Sequence, residues 1–455
     1  MTQPNPLALV DCNNFYVSCE RVHNPRLMNK PVIVLSNNDG MPVARSEEAK
    51  ALGIGMAQPA FEIRDIIQRH KVFVFSSNYT LYGDLSSRVM ETLRQFSPAV
   101  EEYSIDEAFV SLQGLMRPDH TQLGREIKER VFQWVGIPVS VGIATSKTLA
   151  KVANRLAKRS PEAQGVLDLT DPDLRDQALR KVDVADIWKC GPARADLFRC
   201  HGLKTAWDLS RASLDWVDKK VGVEGMRMVR ELRGEPCIPL ELVKPKRKRV
   251  GCARSFGRKV GSLSEVKEGL ATHVAQCANR LRREGQVAGL MLVSLNTNPY
   301  SNGPQYNKGI KVRLLIPTDN TGELIRWANK AVEKIYKAGL IYKAACVELG
   351  DLMPNDQIQQ ALFVPQDRSP CSETTSRGTS LGSAGPRDEV YEIPNRDRLK
   401  DVRLMKALDR IGRDFGAGRL RYLSEGLVRD WDTRFSSRSA RYTTRWEELL
   451  TVRAS

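Results

Sequence analysis

The sequence is poor in the residues that build disulfide-linked or zinc-stabilised domains. Its nine cysteines are odd in number and never form a Cys-x-x-Cys pair, and its five histidines show no zinc-type spacing. This pattern predicts a reducing compartment. Long apolar runs are also missing, because residues 1–10 do not resemble a signal peptide and no later stretch approaches the length of a membrane span. We therefore expect a cytoplasmic protein without a membrane partner.

Acidic residues are too few to balance the basic ones. Lys and Arg number 70 against 54 Asp and Glu, so the formal net charge is +16. Such an excess favours a polyanion as partner, and nucleic acid is the leading candidate, although an anionic membrane surface or simple solubility would also suit this charge. At 455 residues, the chain is expected to form about three or four domains.

The N-terminal third of the chain is expected to alternate short strands and helices. A buried strand at residues 7–10 ends at Asp11, and an aromatic-led helix follows. A strand at 31–35 and a helix at 47–53 indicate a small inserted subdomain. Further on, two short strands flank an acidic turn formed by Asp106 and Glu107.

A strand at residues 137–144 leads into a helix that starts near Ser146. Lys147, Lys151 and Lys158 are spaced so that they share one face of this helix, and apolar residues occupy the other face. We expect the apolar face to pack on a sheet and the lysines to point outward. The simpler interpretation of these lysines is a charged helix face that only contacts solvent.

The remaining segments differ sharply in composition. Residues 182–234 are typical of short helices joined by glycine-containing turns, and a basic linker precedes a segment with the pattern βαββαβ. Residues 366–389 are rich in Ser, Thr, Gly and Pro and are predicted to be disordered. Helical periodicity returns at residues 399–415.

Three carboxylates carry the strongest chemical signal. Phosphoryl transfer by two Mg²⁺ ions requires acidic side chains on rigid supports, because the two ions must be held roughly 4 Å apart. Asp11 ends one strand, and Asp106 with Glu107 lies at a turn that could stand beside it. Neighbouring residues of a flat strand face opposite ways, so the turn is needed for both acids to converge. Taken singly, each is more simply a turn former or a solvated tip.

These residues lie within longer motifs. DCNNFYVSCE, SNNDG, SSNYTLYGDLSSRVM, YSIDEAF, VGIATSKTLAKVAN and the terminal RYTTRW occur in order along the chain. Together they resemble the Y family of lesion-bypassing DNA polymerases, and the tail resembles the UmuC branch, the catalytic subunits of DNA polymerase V, rather than the DNA polymerase IV branch. The resemblance covers nearly the whole chain.

The resemblance implies a metal site and its ligands. Asp11, Asp106 and Glu107 match the family's metal-binding and catalytic carboxylates, and the carbonyl of Cys12 matches a further metal ligand. Two Mg²⁺ ions are the implied cofactor.

It also implies a nucleotide site. Tyr16 matches the steric gate that excludes a ribose 2′-hydroxyl, Lys158 matches the lysine that holds the triphosphate, and Lys50 stands where other branches use Arg. Two positions depart from the family pattern. Glu47 replaces a Tyr that contacts the phosphates in several relatives, and Lys189 replaces the first Gly of a DNA-binding hairpin.

The implied fold is a multi-domain α+β, right-hand polymerase. Its implied activity is template-directed, error-prone synthesis across damaged DNA, as in SOS mutagenesis, without proofreading. The expected divisions are a catalytic palm at 1–165 with fingers inserted at about 25–76, a helical thumb at 166–243, a βαββαβ little finger at 244–353, a clamp-binding peptide and disordered linker at 354–394, and a UmuC-type tail at 395–455.

Partners follow from the same resemblance. Primer-template DNA and a deoxynucleoside triphosphate are the expected substrates, and a UmuD′-type protein and a RecA filament are the expected protein partners. Gln359, Leu362 and Phe363 resemble the peptide with which bacterial polymerases bind the sliding clamp. Alternatively, Leu362 and Phe363 pack back on the preceding strand.

Two other functions remain open from the residues alone. A nucleotide cyclase could use paired acids on a similar sheet, but it would not need the basic helical segment and the βαββαβ domain. A non-catalytic DNA-binding scaffold of a mutagenesis complex would not need intact Asp11, Asp106 and Glu107. A weak P-loop-like stretch at residues 142–148 lacks the required glycine, so an ATPase is rejected.

Overall fold

A computed structural model describes residues 5–114, 119–357, 388–391, 398–416 and 418–451. The chain divides into two units, each with its own core. Unit 1 comprises Met1–Lys244 and Ser436–Ser455, and unit 2 comprises Pro245–Phe435. The expected clamp-binding residues 359–363 lie outside the described residues, as does most of the stretch predicted to be disordered.

Unit 1 contains two sheets. One has the strand order β5-β6-β1-β7-β8, and the other has the order β3-β2-β4. The strands are β1 Leu7–Cys12, β2 Val32–Leu35, β3 Pro42–Arg45, β4 Phe73–Ser76, β5 Val100–Glu102, β6 Glu107–Ser111, β7 Val139–Ala144 and β8 Val166–Asp168.

The helices of unit 1 pack on these sheets and on one another. Some of their starts carry side-chain caps: Asn78 accepts a hydrogen bond from the amide of Leu81, and Ser146 accepts one from the amide of Leu149. The helices are α1 Phe15–His23, α2 Glu47–Ala51, α3 Arg64–Arg69, α4 Tyr79–Arg94, α5 His120–Val135, α6 Lys147–Arg159, α7 Pro172–Arg180, α8 Pro192–Cys200, α9 Ala206–Ser210, α10 Leu214–Val221 and α11 Val223–Leu232.

Strand β1 separates two hydrophobic cores. Its alternate residues Ala8 and Val10 belong to the core that includes α1, α4 and α5, while Leu7 and Leu9 belong to the core that includes α6 and the helices after it. Side chains alternate along a strand, so Asp11 shares the face of Leu9 and points to the α6 side of the sheet.

Helix α6 packs unusually close to β7. A Cβ atom on Gly142 would lie 2.2 Å from the backbone nitrogen of Asn154, so only glycine permits this approach. The side-chain amide of Asn154 in turn donates to the carbonyls of Leu9 and Ser140, at 3.3 and 2.7 Å. These contacts fix α6 against the strands that carry the acidic residues.

The expectation that the lysines of α6 point outward is wrong. Lys147 is only 2% exposed and forms an ion pair with the buried Glu101. Lys151 and Lys158 pair with acidic side chains of β6 and β1. The face of α6 that carries the three lysines therefore packs against acidic side chains of β5, β6 and β1. It does so because α6 lies across these strands rather than at the surface.

Unit 2 has one mixed sheet of strand order β13-β11-β10-β12-β9. Up to β12, its elements follow the βαββαβ order that the sequence predicts. They are β9 Val250–Val260, α12 Leu263–Arg283, β10 Gln286–Thr297, β11 Asn307–Thr318, α13 Thr321–Ile335, β12 Tyr342–Pro354, β13 Asp388–Tyr391 and α14 Arg398–Asp414. Two residues predicted to be disordered, Asp388 and Glu389, instead belong to β13, which pairs in parallel with β11.

The C-terminal region contributes to both units. In unit 2, Arg282 of α12 forms an ion pair with Asp409 of α14, and the Trp431 indole donates to Glu268 at 3.2 Å. In unit 1, residues 436–442 contact β4 and the start of α4. The multi-domain α+β class expected from the sequence is confirmed. Among the described residues, no helix has the length and apolar character needed to cross a bilayer.

Candidate active site

Asp11 and Glu107 lie directly opposite each other in the antiparallel pair β1–β6. The same register sets Leu9 against Phe109, so both carboxylates lie on the α6 face of the sheet. Asp106 is the residue before β6, and its carbonyl accepts a hydrogen bond of 2.8 Å from the amide of Cys12. The structure thus brings together the three acidic residues that the sequence singled out.

The turn before β6 is organised by Ser104. Its hydroxyl donates to Asp106 Oδ1 at 2.6 Å and accepts from the amide of Glu107 at 3.0 Å. The amides of Tyr103 and Ser104 both donate to the Glu107 carbonyl, at 3.1 and 3.0 Å. The acidic pair is therefore split between a turn and a strand, with Asp106 in the turn and Glu107 as the first residue of β6.

Two lysines of α6 neutralise the two opposed carboxylates. Lys158 Nζ lies 2.6 Å from Asp11 Oδ1. Lys151 Nζ donates to both oxygens of Glu107, at 2.9 and 3.0 Å, and lies 4.5 Å from the centroid of the Tyr103 ring. Each acid thus has its own cation, held in place by the close packing of α6.

The electrostatics of Asp11 are those of a crowded acidic site. Burial raises the pKa of Asp11 to about 6, and the negative charges of Glu107 and Asp106 act in the same direction, against the opposing effect of Lys158. A bound cation would therefore stabilise the ionised carboxylate of Asp11.

The donor set fits a hard divalent cation. Carboxylate and carbonyl oxygens are the ligands that Mg²⁺ prefers, and Asp11, Asp106, Glu107 and the Cys12 carbonyl would supply them. The Cys12 side chain is only 4% exposed and packs in the core on the opposite side of β1, so only its carbonyl could take part. Among the described residues, no group of three or more His, Cys, Asp or Glu side chains is already gathered closely enough to hold a metal ion.

Tyr16 is a half-buried residue at the start of α1. Its ring stacks on the Tyr82 ring at 4.6 Å between centroids, with an interplanar angle of 16°, and meets the edge of Tyr79 at 5.9 Å. The preceding Phe15 is only 4% exposed and belongs to the core. Burial raises the pKa of Tyr16 to about 12, and the charge of Asp106 contributes. Of the two aromatic residues, therefore, only Tyr16 is partly exposed.

A cavity of about 450 Å³ lies beside the acidic site. Lys50 and Lys158 both line it, and the Lys50 ammonium donates to Asn14 Oδ1 at 2.9 Å and Glu47 Oε1 at 2.6 Å. The three carboxylates and Tyr16 are not among its lining residues. Its other lining residues are Asn13, Asn14, Glu47, Lys128, Ser140, Ala157, Arg159, Ser160, Pro161, Gln164 and Gly165.

The two departures from the family pattern have structural consequences. Glu47 accepts hydrogen bonds from Lys50 and from the Asn14 amide, so a carboxylate lines the basic cavity. Lys189 adopts a left-handed backbone conformation with φ of 66°, which is the conformation that glycine favours. A non-glycine residue thus adopts this conformation here, and the Lys189 carbonyl accepts a hydrogen bond from Arg194 at 3.1 Å.

Several residues of the site escaped sequence reasoning. Ser104 lies inside the YSIDEAF motif, and its position two residues before an acidic residue is typical of a turn-forming hydroxyl. Tyr79 and Tyr82 lie three residues apart in α4, and only the packing of this helix places both against Tyr16. Arg159 and Lys128 reach the cavity from two different helices, and no local pattern predicts that they meet.

The fold belongs to a known class of enzyme structures. A solved structure, the "Y-family DNA polymerase chimera Dbh-Dpo4(243-245)-Dbh", superposes with a TM-score of 0.65 at 18% sequence identity, covering 77% of this chain and 100% of that chain. At this identity, the similarity establishes the fold, which is that of a Y-family DNA polymerase.

Sequence comparisons establish the family. Models described as "impB/mucB/samB family" and its C-terminal domain match residues 10–155 and 247–362, and "Domain of unknown function (DUF4113)" matches residues 402–452. "Protein UmuC" of Salmonella typhimurium is 38% identical over 449 residues, covering 98% of this chain and 100% of that protein. "Protein ImpB" of Salmonella typhimurium is 35% identical, covering 98% and 99%. A "DNA polymerase IV" of Desulfatibacillum aliphaticivorans is 28% identical, covering 79% and 88%.

The chain therefore belongs to the impB/mucB/samB family of Y-family DNA polymerases.

Proposed function

We propose that this DNA-directed DNA polymerase carries out error-prone synthesis across damaged templates, by two-metal-ion nucleotidyl transfer and without proofreading. The observation that carries the proposal is the pairing of Asp11 with Glu107 across β1 and β6, with Asp106 in the adjoining turn. Burial and the neighbouring charges of Glu107 and Asp106 make the ionisation of Asp11 unfavourable. A carboxyl whose pKa is raised in this way beside two further acidic residues is typical of a functional site.

The proposed metal ligands are Asp11, Asp106, Glu107 and the Cys12 carbonyl. Two Mg²⁺ ions bound there would activate the primer hydroxyl and stabilise the charge that develops on the phosphates. The protein's own contribution is rigidity. Asp106 is oriented by the Ser104 hydroxyl, and Asp11 is fixed by its place in a central strand.

Lys158 of α6 is proposed to exchange its partner Asp11 for the triphosphate when the substrate binds. Lys158 pairs with Asp11 and also lines the basic cavity, so it can turn toward a triphosphate that enters there. Lys50 would bind the same phosphates from α2, in competition with the carboxylate of Glu47. Binding and orientation of the triphosphate are then the work of side chains from two helices.

Tyr16 is proposed as the steric gate. A ring that rests on Tyr82 and touches Tyr79 is held in place from two sides, and it stays partly exposed beside the acidic site. A rigid surface at this position would admit a deoxyribose and collide with a ribose 2′-hydroxyl. Sugar selection would then rest on shape rather than on a hydrogen bond.

The domain roles and partners are part of the same proposal. Residues 1–165, 166–243 and 244–353 would act as palm with inserted fingers, thumb and little finger around a primer-template. The residues around Gln359, Leu362 and Phe363 would bind a sliding clamp. A UmuD′-type protein and a RecA filament are the proposed partners in SOS mutagenesis, which places the protein in the cytoplasm. The net charge of +16 supports a nucleic-acid partner.

Primer extension tests the proposal directly. The full chain is incubated with Mg²⁺, deoxynucleotides, and a primer-template that carries an abasic site, with and without a UmuD′-type protein, a RecA filament and a clamp. We expect metal-dependent extension past the lesion and no trimming of mismatched primer ends. A chain that binds the template but never extends it would support a DNA-binding scaffold instead.

A further inference from the structure

Residues 436–442, which we call the tail segment, are fixed beside β4 and α4. The amide of Ser76 donates to the Ser437 carbonyl at 3.0 Å, and the amide of Ser437 donates back to Ser76 Oγ at 2.9 Å. Asn78, the residue that caps α4, also donates its side-chain amide to the Ser439 carbonyl at 3.0 Å. The tail segment therefore supports the first turn of α4, which carries Tyr79 and Tyr82.

Glu20 is the buried carboxyl that joins the tail segment to this helix. Its side chain belongs to a residue only 2% exposed, and its Oε1 accepts hydrogen bonds from the Tyr82 hydroxyl at 2.6 Å and the Ser439 hydroxyl at 2.9 Å. Burial raises the pKa of Glu20, and these two hydrogen bonds oppose the rise. The tail thus supplies one of two hydroxyls that stabilise a buried carboxylate.

Tyr82 transmits this arrangement to Tyr16. Tyr16 and Glu20 are four residues apart in α1, so they lie on the same face of the helix, one turn apart. Tyr82 is fully buried and contacts both, with its hydroxyl on Glu20 and its ring stacked on Tyr16 at 4.6 Å. The position of the Tyr16 ring therefore depends on where the Glu20 hydrogen bonds hold Tyr82.

A second contact holds the tail segment against α1. The ring of Tyr442 stacks on His23 at 4.8 Å with an interplanar angle of 12°, and Tyr442 also packs against the core that includes α1, α4 and α5. Loss of the Ser439 hydroxyl should therefore leave the tail segment docked.

We propose that the tail segment is a positioning element for sugar selection: Ser439 holds Glu20, Glu20 holds Tyr82, and Tyr82 supports Tyr16. The inference rests on the proposed role of Tyr16 as steric gate. It gives part of the C-terminal region, which matches a domain of unknown function, a role in the polymerase reaction. A gate that acts by shape loses selectivity when its supporting residues let it shift by a fraction of an ångström.

The test measures kcat/KM for a deoxynucleotide and for the matching ribonucleotide on an undamaged template, using the full chain. The Ser439 hydroxyl donates to Glu20 at 2.9 Å and accepts from the Asn78 amide at 3.1 Å, and Asn78 keeps its bond to the Ser439 carbonyl when that hydroxyl is removed. Ser439→Ala should therefore lower the ratio of the two values about three- to tenfold, the effect expected from the lost bond to the buried Glu20. Tyr82→Phe keeps the ring, removes the other hydroxyl and should act in the same direction. Ser437→Ala is the matched control, because the hydrogen bonds between Ser437 and Ser76 use the Ser437 backbone.

Coupling to Tyr16 separates positioning from general stability. In a Tyr16→Ala background, Ser439→Ala should change the ratio no further, since the supported ring is gone. An equal loss for both sugars, or a lower melting temperature with an unchanged ratio, would overturn the proposal. If Tyr16→Ala relaxes sugar selection and Ser439→Ala does not, the tail inference fails alone. If the unaltered chain never extends a primer, the proposed function fails with it.

Discussion

Asp11 of β1 and Glu107 of β6 face each other across one antiparallel pair, and a different lysine of α6 neutralises each of them. This relationship links fold and chemistry, because the close packing of α6 on Gly142 is what brings both lysines to the acidic edge. A cation that binds the carboxylates must compete with Lys158 and Lys151. Metal affinity and nucleotide affinity are therefore expected to be linked through the same lysines.

Asp106→Asn should abolish nucleotide addition while leaving the fold intact. The neutral amide keeps an oxygen that can accept the hydrogen bond from Ser104, but it loses the charge needed to bind metal. Removing a metal-binding charge should lower kcat/KM about a hundredfold or more. The measurement is single-nucleotide extension. Melting temperature and affinity for primer-template DNA are the controls, and both should match those of the unaltered chain; appreciable extension would contradict the assignment.

Asp11→Asn should stabilise the metal-free protein at neutral pH. Burial raises the pKa of Asp11 from 3.8 to about 6 in the folded state. As pH rises from about 4 to about 6, the unfolded chain loses this proton first, so the folded state loses stability, and the penalty is complete above the folded pKa. Asn cannot ionise. Its advantage should be absent at about pH 4 and reach on the order of 3 kcal/mol at most near pH 7.

Urea denaturation in chelator-containing buffer at several pH values measures this gain. The variant should also be inactive, so stability and activity change in opposite directions, as expected where a functional site is strained. Equal or lower stability than the unaltered chain at every pH would show that the ion pair with Lys158 outweighs the burial of Asp11.

Lys147→Met should destabilise unit 1 strongly. Lys147 and Glu101 form an ion pair with 2% and 6% of their side chains exposed, and the amide of Glu241 also donates to Glu101 at 2.8 Å. Removing the lysine leaves a buried carboxylate without its cation, which typically costs about 3–5 kcal/mol. The free energy of unfolding in urea checks the value. Adding Glu101→Gln should recover part of the loss; a loss below about 1 kcal/mol would contradict the buried-pair interpretation.

The sequence alone predicted the parts of the fold that depend on local periodicity. The strand ending at Asp11, the βαββαβ order of unit 2 and the helix near residues 399–415 all follow from the spacing of apolar residues. Spacing also placed Lys147, Lys151 and Lys158 on one helix face. It could not say what covers that face, since the covering residues Glu101, Glu107 and Asp11 come from three different strands.

The contacts of the tail segment with α1 and α4 escaped the sequence. The hydrogen bond from Ser439 to Glu20 joins residues 419 positions apart, and no local pattern marks either residue as a partner. Glu20 itself looks like a surface residue of α1, because charged side chains are seldom buried unless they are paired. Only the packing of α4 and the tail segment against α1 reveals that Glu20 is enclosed.

The proposed clamp-binding peptide calls for a solution test. Leu362 and Phe363 are the apolar residues expected to fill a pocket on the clamp, with Gln359 at the rim. Replacing both by Ala should lower extension on a clamp-loaded template and leave extension without clamp unchanged. In the clamp-binding peptides that this stretch resembles, leucine is common at the position of Gln360. The peptide should therefore bind more weakly than one that matches the pattern fully. Equal loss in both assays, or a lower melting temperature, would show that the pair is part of the core.

Tyr16→Ala should relax sugar selection with little loss of stability. The Tyr16 ring is half-buried, and its neighbours Tyr82 and Tyr79 are held by α4, so its removal opens space without emptying a core position. A ribonucleotide would then meet no obstacle at its 2′-hydroxyl. The ratio of kcat/KM for a deoxynucleotide to that for a ribonucleotide should fall about tenfold or more. Removal of a steric clash of a few kcal/mol would give a change of this size.

Phe15→Ala is the matched control for Tyr16→Ala, because the two aromatic residues are adjacent but differ in burial. Phe15 is 4% exposed within the core, and its truncation should cost about 3–5 kcal/mol of unfolding free energy. It should leave the sugar ratio of the folded fraction unchanged. If the two variants exchanged these effects, with Tyr16→Ala unfolding the chain and Phe15→Ala altering sugar selection, Phe15 would be the gate and Tyr16 the core residue.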